Sequence, residues 1–455
     1  MHGTIPGEMY GWYGETNGTA ALISKDNYLS QEFLNLEKKN LWPKTWQVAC
    51  RLEEIPKIGD FVTYDIADDS IIVVRSHEKT VRAYHNTCPH RGNQLTEGCG
   101  RKQAFVCRYH GWTYNLDGKC ISVQDAGDYG ETLKLADLHL IECKVDTWGG
   151  FVFINMDPTC EPLAEFLRPI QEYLDPFEYE NLRYRWYLEL TLPANWKVAM
   201  EAFMDGYHVA ATHSQLLPLQ GNDYTKSFAR GKHSHFGYWG SRDAPGAPSP
   251  RLNMPKPDDV RPGVVEFFDM MERDFAAIFT DRDATAAHRL LTETPPTADT
   301  ATAFANAVEF GRQAAEAEGA GYPKGLDWQT LDRAGSDWHV FPNSVTLPYW
   351  DGAVWYRARP NGDNPDSCIF NIWSLKRYAL GGEPKLQRRV YKDVEGQSFG
   401  LIVDQDIANI RRVHKGMKSR GFRFARPNPV QEMETLNFHR VLETLVLGEP
   451  RVIVK

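Results

Sequence analysis

The sequence predicts an α+β protein built as a small all-β domain followed by a larger domain that mixes strands and helices. Three observations carry this. Short β-rich runs separated by turn residues fill residues 46–156, strand-like runs reappear after position 336, and amphipathic helical stretches lie between and after them.

In chain order, residues 1–45 read as an N-terminal arm packing on the larger domain, with a helical piece at "SQEFLNLEKKNLW". The β-domain is placed at 46–160. "DFVTYDI" and "SIIVVRS" flank the acidic turn "ADD", and "VRAYHNT", "AFVCRYH", "WTYNLDGKC" and "GGFVFINM" continue the series. The larger domain is placed at 161–455. "YRWYLELTL" reads as a strand and "PANWKVAMEAFMDGYHV" as a helix. An Ala- and Glu-rich helical insert spans about 255–335 and contains the amphipathic "VVEFFDMMERDFAAIF". "HVFPNSVTL", "AVWYRARP" and "SCIFNIWSLKR" are strands, and the chain closes in helices from "GLIVDQDIANIRRVHKGM" to "METLNFHRVLETLV".

The 455 residues suffice for two or three domains with sizeable cores. No run of about 18 apolar residues suggests a membrane span, and the N-terminus lacks the basic and apolar regions of a secretory signal. A formal charge of -9 argues against nucleic acid as a partner. Eight cysteines and no export signal point to a reducing cytoplasm, with free thiols or metal thiolates rather than disulfides.

Cys88 and His90 are separated by one residue, Cys107 and His110 by two, and each pair falls at a turn after a strand. Two thiolates and two imidazoles suit zinc or a [2Fe-2S] cluster of mixed ligation. One Cys and one His from each loop fits the second better, because the thiolates can take one iron and the imidazoles the other. Cys99 and Cys120 fit no such spacing and read as ordinary thiols.

Further on, "EAFMDGYHVAATH" carries Glu201, Asp205, His208 and His213. On a continuous helix 201, 205 and 208 share a face, while His213 joins His208 only where the helix ends or distorts. Two histidines and one carboxylate make the triad that holds Fe(II) with open positions for O2. Asp205 is the local candidate for the carboxylate.

"CPHRG" and "CRYHGWTYNLDGK", followed by Asn195-Trp196-Lys197, Glu201, Asp205, His208 and His213, resemble the Rieske non-haem iron oxygenases, in particular the alpha (terminal oxygenase) subunits of aromatic ring-hydroxylating oxygenases. The resemblance covers roughly residues 45–435. It implies a Rieske [2Fe-2S] cluster on Cys88, His90, Cys107 and His110, and a mononuclear Fe(II) on His208, His213 and a distant carboxylate. In "DQDIANIRRVHKG" that carboxylate falls on Asp406, with Asp404 as the alternative. Asp205 becomes a catalytic residue that bonds His208 and reaches toward the cluster of a neighbouring subunit. Two departures from the family pattern are Ala202, where Asn is usual, and His414, where Gln is usual.

The resemblance further implies a helix-grip-like catalytic domain with an antiparallel sheet, and a homotrimer, α3 or α3β3. Electrons would come from NAD(P)H through a ferredoxin or flavin reductase. With O2 as co-substrate, the outcome would be mono- or cis-dihydroxylation of an aromatic or other hydrophobic substrate, or O- or N-demethylation. A pure electron carrier is the reading from another class, and the downstream triad residues argue against it. Candidate pocket residues are Phe203, Met204, Val209, Leu216, Leu217, Phe341, Asn343, Val345 and Trp373, mostly apolar. Arg and Lys residues between 220 and 260 are candidates to meet a substrate carboxylate, and the helical insert is a candidate cap.

Overall fold

The computed structural model of the chain describes residues 22–238 and 243–450. Residues 1–21 of the expected N-terminal arm lie outside them. The described residues divide into two compact units, one of residues 35–168 and one of residues 22–34 together with those from Pro169 onward.

The smaller unit is β-rich. A seven-stranded sheet runs in the order Gln47–Arg51, Phe151–Asn155, Glu142–Trp148, Thr80–His85, Asp69–His77, Asp60–Ile66 and Cys99–Arg101. The hairpin Asp60–Ile66/Asp69–His77 closes through Ala67 and Asp68, with Ala67 at φ 52°. A three-stranded sheet follows the order Ala104–Val106, Thr113–Asn115, Cys120–Ser122. The two sheets share one core, in which Phe61 meets Phe105 edge-on at 5.7 Å and Ile72, Val74, Tyr84 and Tyr114 are buried. Cys88, Cys107 and Trp112 belong to that core, so the first loop pair is seated on rigid strands.

In the larger unit an eight-stranded sheet runs in the order Thr225–Arg230, His233–Tyr238, Asp337–Val340, Ser344–Pro348, Gly352–Asn361, Asn364–Arg377, Leu182–Leu192 and Arg388–Tyr391. Every pairing is antiparallel except the last. Helix Met433–Leu447 lies on the strands at one edge, where the Asn437 side chain donates to the carbonyl of His233 at 3.0 Å and to Ser234 Oγ at 3.0 Å.

The helical insert leaves the sheet after Tyr238 and re-enters at Asp337. The flanking strands are direct neighbours, with His235 opposite Trp338. The excursion is therefore the loop of a hairpin, filled by helices Arg261–Asp274, Asp281–Ala287, Leu290–Glu293, Thr300–Ala317 and Trp328–Ala334. Side-chain caps set several starts: Thr280 and Asp283 form a reciprocal capping box, and Asp299 and Asp327 accept from Thr302 N and Thr330 N. Buried Arg282 pairs with buried Asp351 in the turn after Ser344–Pro348 and with Glu318 at 2.7 Å, which pins the insert to the sheet.

Two expectations need correcting. The run "HVFPNSVTL", expected as a strand, is a hairpin in which Asp337–Val340 pairs antiparallel with Ser344–Pro348 across a turn at 341–343. The helix read through "PANWKVAMEAFMDGYHV" covers only Trp196–Glu201, started by the Asn195 side chain. The chain then turns through 203–208 before the short helix Val209–Thr212. Gly206 marks the tight place, since a Cβ there would meet Thr225 Cγ2 at 2.7 Å. The Asp205 carboxylate takes the His208 amide at 2.9 Å, a local bond that replaces a helical one.

Candidate functional site

Each unit gathers one constellation. In the smaller unit the two loops are near-copies in hydrogen bonding. Cys88 N donates to Asn93 O and Gly92 N to Cys88 O; Cys107 N donates to Trp112 O and Gly111 N to Cys107 O. Both closures need a left-handed residue, with φ 76° at Gly92 and 72° at Gly111. The turns bring the Cys88 and Cys107 thiols within mutual hydrogen-bonding reach and the His90 and His110 rings to 4.5 Å. His90 stacks on Trp112 at 4.6 Å and 8°.

Burial pushes both thiols up. At Cys107 the amides of Tyr109 and His110, Cys88 and the Asn93 side chain outweigh it, and the thiol is lowered. At Cys88 burial prevails, although the Tyr114 hydroxyl at 3.1 Å and the His90 amide oppose it. His110 Nδ1 is buried without a hydrogen-bond partner among the described residues. A buried imidazole nitrogen with nothing to bond is a position a metal ion satisfies. Both cysteines are buried while His90 is only partly so, which leaves the histidine side nearer the surface.

In the larger unit His208, His213 and Asp406 each offer one ligand atom within 4.8 Å of the others. Both imidazoles turn Nε2 toward the same carboxylate oxygen, Asp406 Oδ1, His213 at 3.0 Å and His208 at 3.8 Å. Their far nitrogens are held from behind. Asp205 Oδ1 faces His208 Nδ1 at 3.1 Å, and Gln405 Oε1 faces His213 Nδ1 at 2.8 Å while also accepting from Gln215 Nε2 at 2.9 Å. Each ring thereby has its Nε2 lone pair presented inward. Burial works against a charge on His208, yet Asp205 and Asp406 hold its pKa up to about 9. A site with this much negative charge favours a cation between its Nε2 atoms, and three such donors leaving one side open fit Fe(II).

Helix Leu401–Met417 explains which aspartate faces inward. Its buried stripe is Ile402, Val403, Asp406, Ile407, Ile410 and His414. Asp404 stands two residues, about 200°, away from Asp406 around the helix. Its carboxylate accepts from Ser398 Oγ at 2.5 Å and Phe399 N at 2.8 Å, closing the helix start. His414 is engaged elsewhere: Nδ1 accepts from Asn195 N at 3.4 Å and Nε2 meets Asp366 at 2.8 Å. It ties the helix that bears Asp406 to the segment that leads into the two histidines.

A cavity of about 170 Å³ opens on the three side chains. Phe203, Val209 and Leu216 line it as expected, and Ala202 and Asp205 join them. Met204, Leu217, Phe341, Asn343, Val345 and Trp373 do not. They are buried in packing instead, Asn343 by donating to Ala358 O at 2.8 Å. Of these only Val345 and Trp373 lie on strands, where register decides which side chains face the cavity; Met204, Leu217, Phe341 and Asn343 sit in turns and bends between elements. The walls that sequence reasoning missed come from afar: Phe236, Phe267, Met271, Phe275 and Tyr356. Among the described residues that line it none is Lys or Arg. Arg251 is bound to Asp223 at 2.5 Å and Lys256 to Asp243, so the basic residues expected to meet a substrate carboxylate do not line this cavity; Arg242 lies outside the described residues. Gln405 was likewise missed, although its place beside Asp406 in "DQD" was visible.

Comparison with known proteins bears on both constellations. The Rieske [2Fe-2S] domain family matches residues 45–135, and the family described as ring hydroxylating alpha subunit (catalytic domain) matches 177–448. The glycine betaine monooxygenase oxygenase subunit of Chromohalobacter salexigens is 34% identical over 199 residues, 42% of this chain and 44% of that protein. The carnitine monooxygenase oxygenase subunit of Acinetobacter pittii is 31% identical over 191 residues, 41% and 51% of the two chains. The anthranilate 1,2-dioxygenase large subunit of Acinetobacter baylyi is 32% identical over 200 residues, 42% of each. The chain thus spans about half the length of the curated relatives it matches.

Among solved structures, a quaternary ammonium Rieske monooxygenase in complex with L-carnitine superposes with a TM-score of 0.62 at 17% identity, over 94% of this chain and 96% of that one. Naphthalene 1,2-dioxygenase with indole bound gives 0.61 at 20%, over 94% and 92%. At those identities the likeness shows the fold. No helix among the described residues is long and apolar enough to cross a membrane. With both domain families matched in order, the second over more than half of this chain, the chain belongs to the Rieske non-haem iron oxygenases, with a Rieske [2Fe-2S] domain followed by a mononuclear-iron catalytic domain.

Proposed function

We propose that the chain is a terminal oxygenase component that uses O2 and electrons from a ferredoxin or flavin reductase, and ultimately NAD(P)H, to oxidise an apolar substrate. Cys88, His90, Cys107 and His110 would hold the cluster; His208, His213 and Asp406 would hold Fe(II). One-electron transfer and the reductive activation of O2 are the chemistry these groups supply when bound. The observation that carries the proposal is the convergence of both Nε2 atoms on Asp406 at the floor of an apolar cavity.

The protein's own contribution is positioning. Asp205 and Gln405 fix the two rings, and Phe203, Phe267 and Tyr356 bind the substrate's apolar surface and exclude water. Tyr356 stacks on Phe203 at 4.1 Å, and its hydroxyl is buried without a partner among the described residues. It can orient a polar atom of the substrate. In the homotrimer that we propose with this function, Asp205 would link His208 to the neighbouring subunit's cluster.

Two features support monooxygenation, including N- or O-demethylation, over ring dihydroxylation. The cavity wall holds Asp205, Asp337 and Asp406 with aromatic rings and no cationic side chain among its described residues, which suits an amine or ammonium group at the reacting end of the substrate. Two of the relatives above are monooxygenases named for quaternary ammonium compounds. The test is turnover under 18O2 with a reductase and a panel of methylated amines, aryl ethers and arenes. One labelled atom per product, or formaldehyde release, supports monooxygenation. Two labelled atoms in a cis-diol reject it, and no substrate-dependent O2 uptake by iron-loaded protein rejects the oxygenase assignment.

A further inference from the structure

The cavity over His208, His213 and Asp406 is the inner of two. A second cavity of about 310 Å³, nearly twice as large, adjoins it and shares Gln220, Tyr238, Phe267, Met271, Phe275 and Leu347 as lining residues. These shared side chains form a waist, at which Gln220 Nε2 donates to Tyr238 Oη at 2.8 Å. Beyond it the helical insert supplies Phe279, Phe304 and Trp328, and the turn between strands Ser344–Pro348 and Gly352–Asn361 supplies Tyr349 and Trp350.

The outer chamber is aromatic on several sides. Phe279 lies 4.7 Å from Tyr349, and Phe304 lies 6.1 Å from Trp350 and 6.3 Å from Trp328. Trp328 is 48% exposed, unusual for that side chain, and stands at the margin. Asp332 is the one charged residue among the described lining residues. Three hydrogen-bonding atoms of the lining residues have no partner among the described residues: Gln220 Oε1 at the waist, and Tyr349 Oη and Trp350 Nε1 beyond it, the last two on side chains 7% and 5% exposed. Buried donors are nearly always satisfied, and the Tyr349 and Trp350 side chains both line the chamber, so a small turn of either ring toward it would let an acceptor inside close the bond.

We propose that the insert builds a second substrate subsite, and that the substrate is a two-part molecule: a small apolar or amine-bearing end oxidised in the inner chamber, joined through the waist to an aryl or branched alkyl group carrying a hydrogen-bond acceptor oxygen. The inference deepens the oxygenase reading and rests on it for the identity of the reacting end. The Arg282–Asp351 pair immediately after Trp350 keeps the two walls of the outer chamber in register.

The experiment is equilibrium dialysis of the iron-loaded full chain under argon with three probes: toluene, biphenyl and 4-acetylbiphenyl. No turnover is needed, so the outcome bears on the subsite alone; iron content of the same preparation tests the ligand assignment separately. Expected is a preference for biphenyl over toluene that falls about tenfold in Phe304→Ala and in Trp328→Ala, each with cluster absorbance and iron retained. Trp350→Phe, which keeps the ring and removes the donor, should lower affinity for 4-acetylbiphenyl about fivefold more than for biphenyl. A biphenyl-to-toluene ratio that does not move in either alanine variant overturns the subsite. A Trp350→Phe variant that treats both two-ring probes alike overturns the acceptor, leaving water as the partner of that donor.

Discussion

The two constellations are built in opposite ways. In the smaller unit four residues come from two loops only 25 residues long end to end, each closed by the same pair of backbone bonds and a glycine at φ above 70°. In the larger unit two histidines come from one turn and the aspartate from a helix nearly 200 residues later. Local turns position the first set; the second exists only once helix Leu401–Met417 has docked. Local geometry is robust to distant change, whereas a long-range site depends on every contact that seats its remote element.

This contrast predicts an order of sensitivity. The largest effects are losses of a whole centre. His110→Ala should abolish the cluster's visible spectrum and with it turnover. Asp406→Ala should leave that spectrum intact and drop total iron from about three to about two per chain. Iron retained in Asp406→Ala but lost in Asp404→Ala would move the carboxylate and break the comparison.

Next comes Asp205→Asn, nearly isosteric and still able to accept from the His208 amide. Iron should remain in excess metal, while turnover falls by roughly 10–100-fold. Single-turnover reoxidation of a reduced cluster at the unmodified rate would return Asp205 to a structural role. Gln405→Leu removes the acceptor behind His213 and should weaken iron binding by about tenfold, read as iron lost during chelator dialysis.

Tyr114→Phe sharpens the other side of the comparison. It deletes one hydrogen bond to Cys88 Sγ and leaves the loop backbone intact, so the spectrum should persist while the reduction potential falls. Unchanged potential by protein-film voltammetry would mean that the Tyr114 bond does not reach the cluster.

The smallest effect concerns the insert. Burial, reinforced by Asp351, raises the Asp283 carboxyl to about 7. A folded value above the unfolded one contributes stability that is complete below the unfolded pKa, about 4, and is lost as pH rises toward 7. Asp283→Asn keeps an acceptor for the Thr280 cap and should flatten the decline in melting temperature between about pH 4 and 7. An equal decline in both proteins would remove Asp283 as its cause.

Much of this was legible in the residues. Period-two runs and a turn residue pair marked the hairpin Asp60–Ile66/Asp69–His77, and C-x-H and C-x2-H with their glycines marked the loop pair, because turn chemistry is local. The choice of Asp406 over Asp404 was also latent in the sequence: Asp406 sits four residues from both Ile402 and Ile410, inside the apolar stripe. The break after Glu201 was not, since the residues through Met204 suit a helix and Gly206 is demanded by Thr225 on another strand.

By itself the sequence determined the fold class, the order of the two domains, the loop pair and the residue types able to hold metal, since periodicity, turn propensity and ligand chemistry act over a few residues. Only the tertiary structure decided that Gln405 stands behind His213, that six of nine expected pocket residues are packing, and that the insert's Phe267, Met271 and Phe275 form the wall instead. Those facts depend on strand register and helix docking, which bring together side chains far apart in the chain and leave no trace in any short stretch of it.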